Sequence, residues 1–177
     1  MVELVRLNAG NKKSFDRAGF DCGEPALNIF LQETAAQAEA KNLSRTYILP
    51  AKSAPDKIVG FYTLTMKEFD TSAIPPSLLK RLPPKAPALL LARIAIDQEY
   101  QGKKLSFILI SDAFQRALNV INEVGGLGLF VEAKNERVAE YYQHLGAMPL
   151  SDAPLNSLFT PKRMEDALLA RSTSEVS

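Results

Sequence analysis

The chain has 177 residues, 46% of them apolar and 23% charged, with 21 lysines and arginines against 20 aspartates and glutamates. That is enough material for one ordinary domain with its own core, and it is too apolar and too balanced in charge for a disordered chain or a general polyanion binder. A lone cysteine, Cys22, excludes an internal disulfide, and with His144 as the sole histidine no Cys/His cluster can hold zinc.

The opening segment MVELVRLNAG carries Glu3 and no long apolar run, so no secretory signal is expected. The most apolar stretch, PALLLARIAI, is short and interrupted by Arg93, which argues against a membrane span and for a cytoplasmic protein. Length and composition together predict a single domain over residues 1–170 and a frayed tail over 171–177.

After a short N-terminal strand, DCGEPALNIFLQETAAQAEAKN reads as a helix. Pro25 suits its first turn, where a missing N–H is no loss, and Leu27, Phe30, Leu31, Ala35 and Ala38 make one apolar stripe. RTYILP and KIVGFYTLTMKEF read as the two strands of a hairpin, joined through AKSAPD, whose Ser, Pro and Asp suit a turn. TSAIPPSLLKRLPPKAPA is too rich in proline for a central strand or a long helix. It is placed as a surface excursion with one short helical turn at Pro76 to Arg81.

From Ala88, ALLLARIAID is a strand apolar on both faces, the pattern of the centre of a covered sheet. From Leu105 onward, Phe107, Ile110, Ser111, Phe114, Ala117, Leu118 and Ile121 recur at three- and four-residue spacing, which predicts a helix with one buried face ending near Gly125 and Gly126. GLFVEA is a further strand. NERVAEYYQHLG is a short helix with Asn135 as N-cap and Gly146 past its end, NSLFTPK is a last strand, and RMEDALLARSTSEVS starts helical and frays. The order predicts a mixed α/β domain built around one sheet, and fold alone gives no chemistry.

Between the central strand and the helix after it lies Gln101-Gly102-Lys103-Lys104-Leu105-Ser106. A loop opening a helix presents unpaired amides and the positive end of the helix dipole, which together suit a phosphate. A basic turn with Ser106 as an ordinary cap explains these six residues alone equally well.

The neighbourhood of this loop is more specific. LARIAIDQEYQGKKLSFILISDAFQRAL followed by LFVEAKNERVAEYYQHLGA resembles the core of the GCN5-related N-acetyltransferase (GNAT) family. FDCGEPALNIFL, LSRTYIL, VGFYTL, the proline-rich excursion and LLARIAID extend the resemblance to the acetyltransferase toxins of bacterial type II toxin–antitoxin pairs, from Phe20 to about Leu168. The resemblance implies a GNAT fold, a single mixed central β-sheet flanked by helices, with acetyl-coenzyme A as cosubstrate and no metal.

Site residues follow from the same resemblance. The amides of Gln101, Gly102, Lys103, Lys104, Leu105 and Ser106 are implied to grip the pyrophosphate, and backbone groups of Ile94, Ala95 and Ile96 to hold the thioester carbonyl and the pantetheine arm. Tyr142 is implied to be the general acid toward the departing sulfur. Asn135 is a candidate coenzyme contact that its N-cap position explains equally well. The loop departs from the family pattern at Lys104 and Ser106, where glycine or another small residue is usual. A Cβ there hinders close approach to phosphate, whereas an amide donates whatever side chain it carries, and Ser106, Lys103 and Lys104 add a hydroxyl and positive charge.

Apart from the resemblance, Tyr142 reads as a core aromatic, whereas it is the resemblance that assigns Tyr141 to packing. His144, two positions on, points elsewhere and is given no catalytic role. Cys22 lacks an evident activating base.

Charge is segregated locally. No acid occurs from Thr71 to Ile96, where Lys80, Arg81, Lys85 and Arg93 are basic, and Lys12, Lys13, Arg17, Lys41 and Arg45 enrich two other segments. Convergence of these segments would track a phosphate backbone, and a set of ordinary solvated charges is equally consistent. In the toxins that the chain resembles, the acceptor is the free α-amino group of an aminoacyl-tRNA, whose acetylation blocks translation. On that basis Arg93 is the first choice for a tRNA contact, with Arg45, Lys80 and Arg81 behind it; the alternative for Arg93 is a strand arginine paired to a carboxylate. The resemblance further implies a homodimer and a small ribbon-helix-helix antitoxin. Two other readings stay open: an acetyltransferase acting on a protein or small-molecule amine, and a catalytically degenerate GNAT fold that binds RNA or an antitoxin.

Overall fold

The structure, a computed structural model, describes residues 3–174. Seven strands, β1 (Val5–Arg6), β2 (Arg45–Pro50), β3 (Ile58–Asp70), β4 (Lys85–Ile96), β5 (Leu129–Glu132), β6 (Met148–Pro149) and β7 (Asn156–Phe159), form one sheet in the order β1-β2-β3-β4-β5-β7-β6. The sheet is mixed: β4 and β5 run parallel, while the β1–β2, β2–β3, β5–β7 and β6–β7 pairs are antiparallel. Helices α1 (Pro25–Ile29), α2 (Ala35–Ala40), α3 (Ser106–Val124), α4 (Glu136–His144) and α5 (Pro161–Ser174) flank it. By internal contacts the chain divides into two compact units, one comprising the residues up to Thr65 together with Ala92–Ala113, the other Met66–Leu91 and the residues from Phe114 on.

The first unit has a core of Leu7, Phe20, Phe30, Leu31, Ala35, Ile48, Ile58, Phe61 and Ala95. The predicted N-terminal helix forms, but it is not regular. Between α1 and α2 the chain makes a π-turn, Phe30–Thr34, in which the amide of Ala35 reaches back to the carbonyl of Phe30. The wider turn buries two consecutive large side chains, Phe30 and Leu31, and Arg17 donates to the carbonyls of Leu31 (3.4 Å) and Gln32 (3.0 Å) inside it. On the hairpin, Tyr47 lies opposite Tyr62 with ring centroids 5.1 Å apart, and the Tyr62 hydroxyl donates to Asp112 of α3 at 2.5 Å. Gly60 lets β3 run close to β4: a Cβ there would come within 2.8 Å of the Ala95 carbonyl and 2.7 Å of the Ile96 side chain.

In the second unit, Phe69 stacks on Phe130 with centroids 3.7 Å apart, and Phe114 of α3 packs on Phe159 of β7 at 4.7 Å. The proline-rich excursion contains the expected turn, in which the amides of Leu78 and Leu79 bond the carbonyl of Pro75. Strand β4 begins at Lys85, three residues before the predicted Ala88, and so takes in Pro87. The proline has no N–H to give, but its carbonyl accepts from Leu127 at 3.0 Å. The predicted strand NSLFTPK stops at Phe159, because Pro161 opens α5 instead. That helix runs to Ser174, so residues 171–174, expected to fray, are helical, and residues 175–177 lie outside the described residues. The two-residue strand β6 carries too little pattern to be predicted.

Candidate active site

Strand β4 passes into the loop through Asp97, which is buried. One of its carboxylate oxygens accepts from the amide of Glu99 and the other from the amide of Asp21, each at 3.0 Å, and its own amide donates to the Val59 carbonyl at 2.9 Å. Gln101 braces the loop from the other side: its Nε2 donates to the carbonyls of Ile96 (2.9 Å) and Cys22 (3.0 Å). The loop is thus tied to β3, β4 and the segment before α1 ahead of any ligand.

Within it, Gly102 and Lys104 both take left-handed backbone conformations, with φ of +75° and +57°. The position where the resemblance calls for a glycine holds a lysine that keeps the glycine geometry, at a strain of roughly 1–2 kcal/mol. Left-handed residues alternating with others are the backbone pattern of an anion nest, and α3, 19 residues long, follows with its positive end. Lys103 and Lys104 are exposed at this mouth. Tyr100, from the turn Gln98–Tyr100, gathers charge beside it: Lys103 Nζ lies 5.1 Å and Lys57 Nζ 5.6 Å from the ring centroid. Lys57 also pairs with Glu99 at 2.5 Å, a hydrogen bond that raises the lysine pKa and lowers that of the carboxyl.

The parallel ladder of β4 on β5 joins Leu89, Leu90 and Leu91 to Leu129, Phe130 and Val131. Beyond it β4 continues through Ala92–Ile96, the stretch that holds Ile94, Ala95 and Ile96. Arg93 lies on the same face of β4 as Ala95. Its guanidinium carbon sits 3.8 Å from the centroid of the Phe30 ring, and among the described residues no carboxylate pairs with it. The carboxylate-paired strand arginine, the alternative expectation, is therefore not what forms. Partial burial lowers the Arg93 pKa from its ordinary value.

In the second unit, α4 carries Tyr142. Asn135 caps the helix, its side-chain oxygen accepting from the Val138 amide at 3.0 Å. Tyr142 is 4% exposed, its ring edge-on to Phe159, and its hydroxyl makes no hydrogen bond to the described residues. Burial pushes its pKa up to about 12. The phenol therefore holds its proton at any working pH and has it free to donate. Tyr141, expected to pack, keeps 37% of its surface exposed. His144 is exposed and bonds the Glu140 carbonyl through Nδ1 at 3.0 Å. The Cys22 pKa is raised by burial, which keeps it a thiol.

The basic candidates separate clearly. Arg45 is used within the fold, donating to the Asn42 side chain (2.7 Å) and to the carbonyls of Glu39 and Ser44, with a Glu39 carboxylate oxygen at 3.6 Å. Lys85 lies 3.8 Å from Glu68. Lys80 and Arg81 are exposed on the excursion and make no ion pair with the described residues. The sequence reading missed the role of Phe30 beneath Arg93: its spacing marks only an apolar stripe, and no local pattern says which cation lies on which ring. Among the described residues no cluster of three or more His, Cys, Asp or Glu side chains gathers to hold a metal, and no helix is long and apolar enough to cross a membrane.

The chain is similar to known proteins in sequence and in fold. The model of the Acetyltransferase (GNAT) family matches residues 14–147. A tRNA-acetylating toxin of Mycobacterium tuberculosis is 26% identical over 152 residues, spanning 86% of this chain and 88% of that protein. Among solved structures, AtaT complexed with acetyl-methionyl-tRNAfMet superposes with a TM-score of 0.82 at 32% identity, covering 92% of this chain and 98% of the other. A tyrosine-to-phenylalanine variant of AtaT, bound to the C-terminus of the antitoxin AtaR and to acetyl-CoA, gives a TM-score of 0.73 at 29% identity over 93% of this chain and 95% of that one.

Proposed function

We propose, for a chain that belongs to the acetyltransferase (GNAT) family on its match over residues 14–147, that the acetyl group of acetyl-coenzyme A goes to the α-amino group of an aminoacyl-tRNA. Acetylation there leaves no free amine to form the next peptide bond, so the protein acts as a toxin on translation. The observation that carries this reading is the likeness to a toxin solved with an acetylated aminoacyl-tRNA, covering 92% of this chain and 98% of that one.

The residues present fit the coenzyme. The loop Gln101–Ser106, with its two left-handed residues, exposed lysines and following helix, has the chemistry of a diphosphate site, and the backbone of Ile94, Ala95 and Ile96 is assigned to the pantetheine arm and the carbonyl. When bound, acetyl-coenzyme A supplies a thioester whose carbonyl carbon is open to an amine and whose sulfur leaves as a thiolate. Tyr142 serves that sulfur. With a pKa of about 12, its phenol stays neutral and donates a hydrogen bond where negative charge develops. Asn135 acts as the cap of α4, which fixes the helix that carries Tyr142. Arg93, Lys80 and Arg81 are assigned to the phosphates of the tRNA, and Arg45 to the fold.

The toxin works in the cytoplasm as a homodimer and is held silent by a ribbon-helix-helix antitoxin. For an antitoxin partner this reading draws its support from the AtaT structure that carries the C-terminus of AtaR, while the homodimer, the cytoplasm and the ribbon-helix-helix class follow from the resemblance alone. The test is acetylation of purified aminoacyl-tRNA from labelled acetyl-coenzyme A by the wild-type protein and by Tyr142→Phe. Label on the amino group of the aminoacyl-tRNA, lost in the variant, is expected. Label found only on protein or polyamine acceptors would overturn the choice of acceptor.

A further inference from the structure

The half-buried guanidinium of Arg93 has no carboxylate paired with it among the described residues. A cation partly removed from water with no acid beside it is unfavourable unless an anion arrives to complete it. What holds it is a close contact over the ring: the guanidinium carbon lies 3.8 Å from the centroid of Phe30. The ring takes up one side of the guanidinium and leaves its N–H groups, none of which donates to an acceptor among the described residues, as a fork for another partner. That fork matches two oxygens of a phosphate, which a lysine ammonium cannot do.

Phe30 is built as a platform. It is 6% exposed, and its ring stacks on Phe61 at 6.3 Å, which is met edge-on by Phe20 at 5.5 Å. It is also the first residue of the π-turn, an irregularity that recurs in helices at functional positions. The carbonyls inside that turn are satisfied by Arg17, so the turn is braced from within the protein. An arginine on a strand would otherwise lose much rotamer freedom on binding, and the ring removes that loss beforehand.

We propose that Phe30 is a positioning residue that fixes Arg93 as a phosphate-binding fork for the nucleic-acid acceptor. The inference rests on the tRNA reading above. The coenzyme also carries phosphates, and the experiment separates the two sources. Binding of uncharged tRNA is followed by fluorescence anisotropy as salt is raised from about 50 to 200 mM, with calorimetric titration of acetyl-coenzyme A alongside, for wild type, Arg93→Met, Arg93→Lys, Phe30→Leu and Phe30→Tyr.

Arg93→Met is expected to weaken tRNA about tenfold and to reduce the slope of log K against log salt by about 0.7–0.9, the contribution of one phosphate contact. Arg93→Lys retains the slope but recovers only part of the affinity. Phe30→Leu weakens tRNA in the same direction, Phe30→Tyr restores it, and the KM for aminoacyl-tRNA rises while kcat holds. Acetyl-coenzyme A affinity stays at the wild-type value in all four, which also shows that they are folded. Normal tRNA binding by Phe30→Leu, or by Arg93→Met, overturns the proposal, as does a loss confined to acetyl-coenzyme A, which would assign the fork to the coenzyme. If wild type itself neither binds nor acetylates tRNA, the tRNA reading fails before any variant is compared, and this inference falls with it.

Discussion

Lys104 offers the sharpest test of the loop, because its backbone and its side chain act in opposite directions. At φ +57° an L-residue is strained by roughly 1–2 kcal/mol, and Lys104→Gly removes that strain. Glycine also gives the unfolded chain more freedom to lose, which offsets about 0.5–1 kcal/mol. The net is a gain of about 0–1.5 kcal/mol, and at this chain length each kcal/mol moves the Tm by about 2–4 °C. Lys104→Ala keeps the strain and loses only the charge, so it should melt with wild type. Affinity for acetyl-coenzyme A is expected to follow the charge and not the Cβ. Both variants lose one exposed cation near a phosphate, weakening binding by about 1.5- to 5-fold at low salt, an effect that fades as ionic strength rises. Glycine and alanine should match each other within about twofold, since the native backbone already holds the conformation glycine would allow. Differential scanning fluorimetry and calorimetric titration read both quantities. If Lys104→Gly binds ten times more tightly than Lys104→Ala, the lysine Cβ obstructs the phosphate and the reasoning is wrong.

Three further outcomes follow from the geometry. Tyr142→Phe deletes a hydroxyl that bonds no described residue, so stability should change little, while kcat falls by about 100- to 10,000-fold with acetyl-coenzyme A affinity retained. The raised pKa of Tyr142 means that the folded state favours the protonated phenol. Its contribution to stability is fully present below the ordinary pKa near 10 and is lost as pH rises through about 12. Accordingly, tyrosinate absorbance, wild type minus Tyr142→Phe, should show no ionisation of this group at pH 10, and a group titrating there would contradict the burial argument. Arg45→Met should destabilise by about 1–2 kcal/mol, because the buried Glu39 oxygen that makes no hydrogen bond loses its nearby cation while Arg6 stays on the other oxygen, and should leave the salt slope of tRNA binding unchanged.

Arg45 and Arg93 also mark the boundary of what the sequence could disclose. Both sit on strands in acid-poor surroundings, and charge counting ranks them alike. They diverge because Arg45 lands beside the end of α2, with Glu39 in reach, while Arg93 lands on an aromatic ring with no carboxylate paired to it among the described residues. That difference is a product of tertiary placement, which periodicity does not encode. The elements themselves were legible where periodicity or end signals were strong: the stripe from Phe107 to Ile121 gave α3, and Asn135 with Gly146 bracketed α4. They were misjudged at two prolines: Pro87, left outside the expected strand, sits inside β4 through its carbonyl, and Pro161, included in the expected last strand, starts a helix. The loop was located from its strand–helix context, whereas its left-handed Lys104 was not, because a lysine gives no sequence signal for positive φ.

The Tyr142 phenol raises a question of proton energetics that bears on how such a site works. An ordinary thiol has a pKa near 8.5, so moving a proton from a phenol of pKa about 12 to a free thiolate is uphill by roughly 3.5 units, or about 5 kcal/mol. On the proposed role of Tyr142, that mismatch with a free thiolate favours a hydrogen bond to the sulfur as charge appears over complete proton transfer, in a buried site where such a bond is worth more than in water. The proton that finally neutralises the thiolate is matched by the one the attacking amine must release. A hydrogen-bond role predicts that the deficit of Tyr142→Phe depends on the leaving thiol: acetyl donors with more acidic thiols develop less charge demand and should narrow the gap between variant and wild type, and less acidic ones should widen it. A deficit that stays constant across a series of such donors would mean that Tyr142 acts on positioning alone, and the phenol would lose its place in the chemistry.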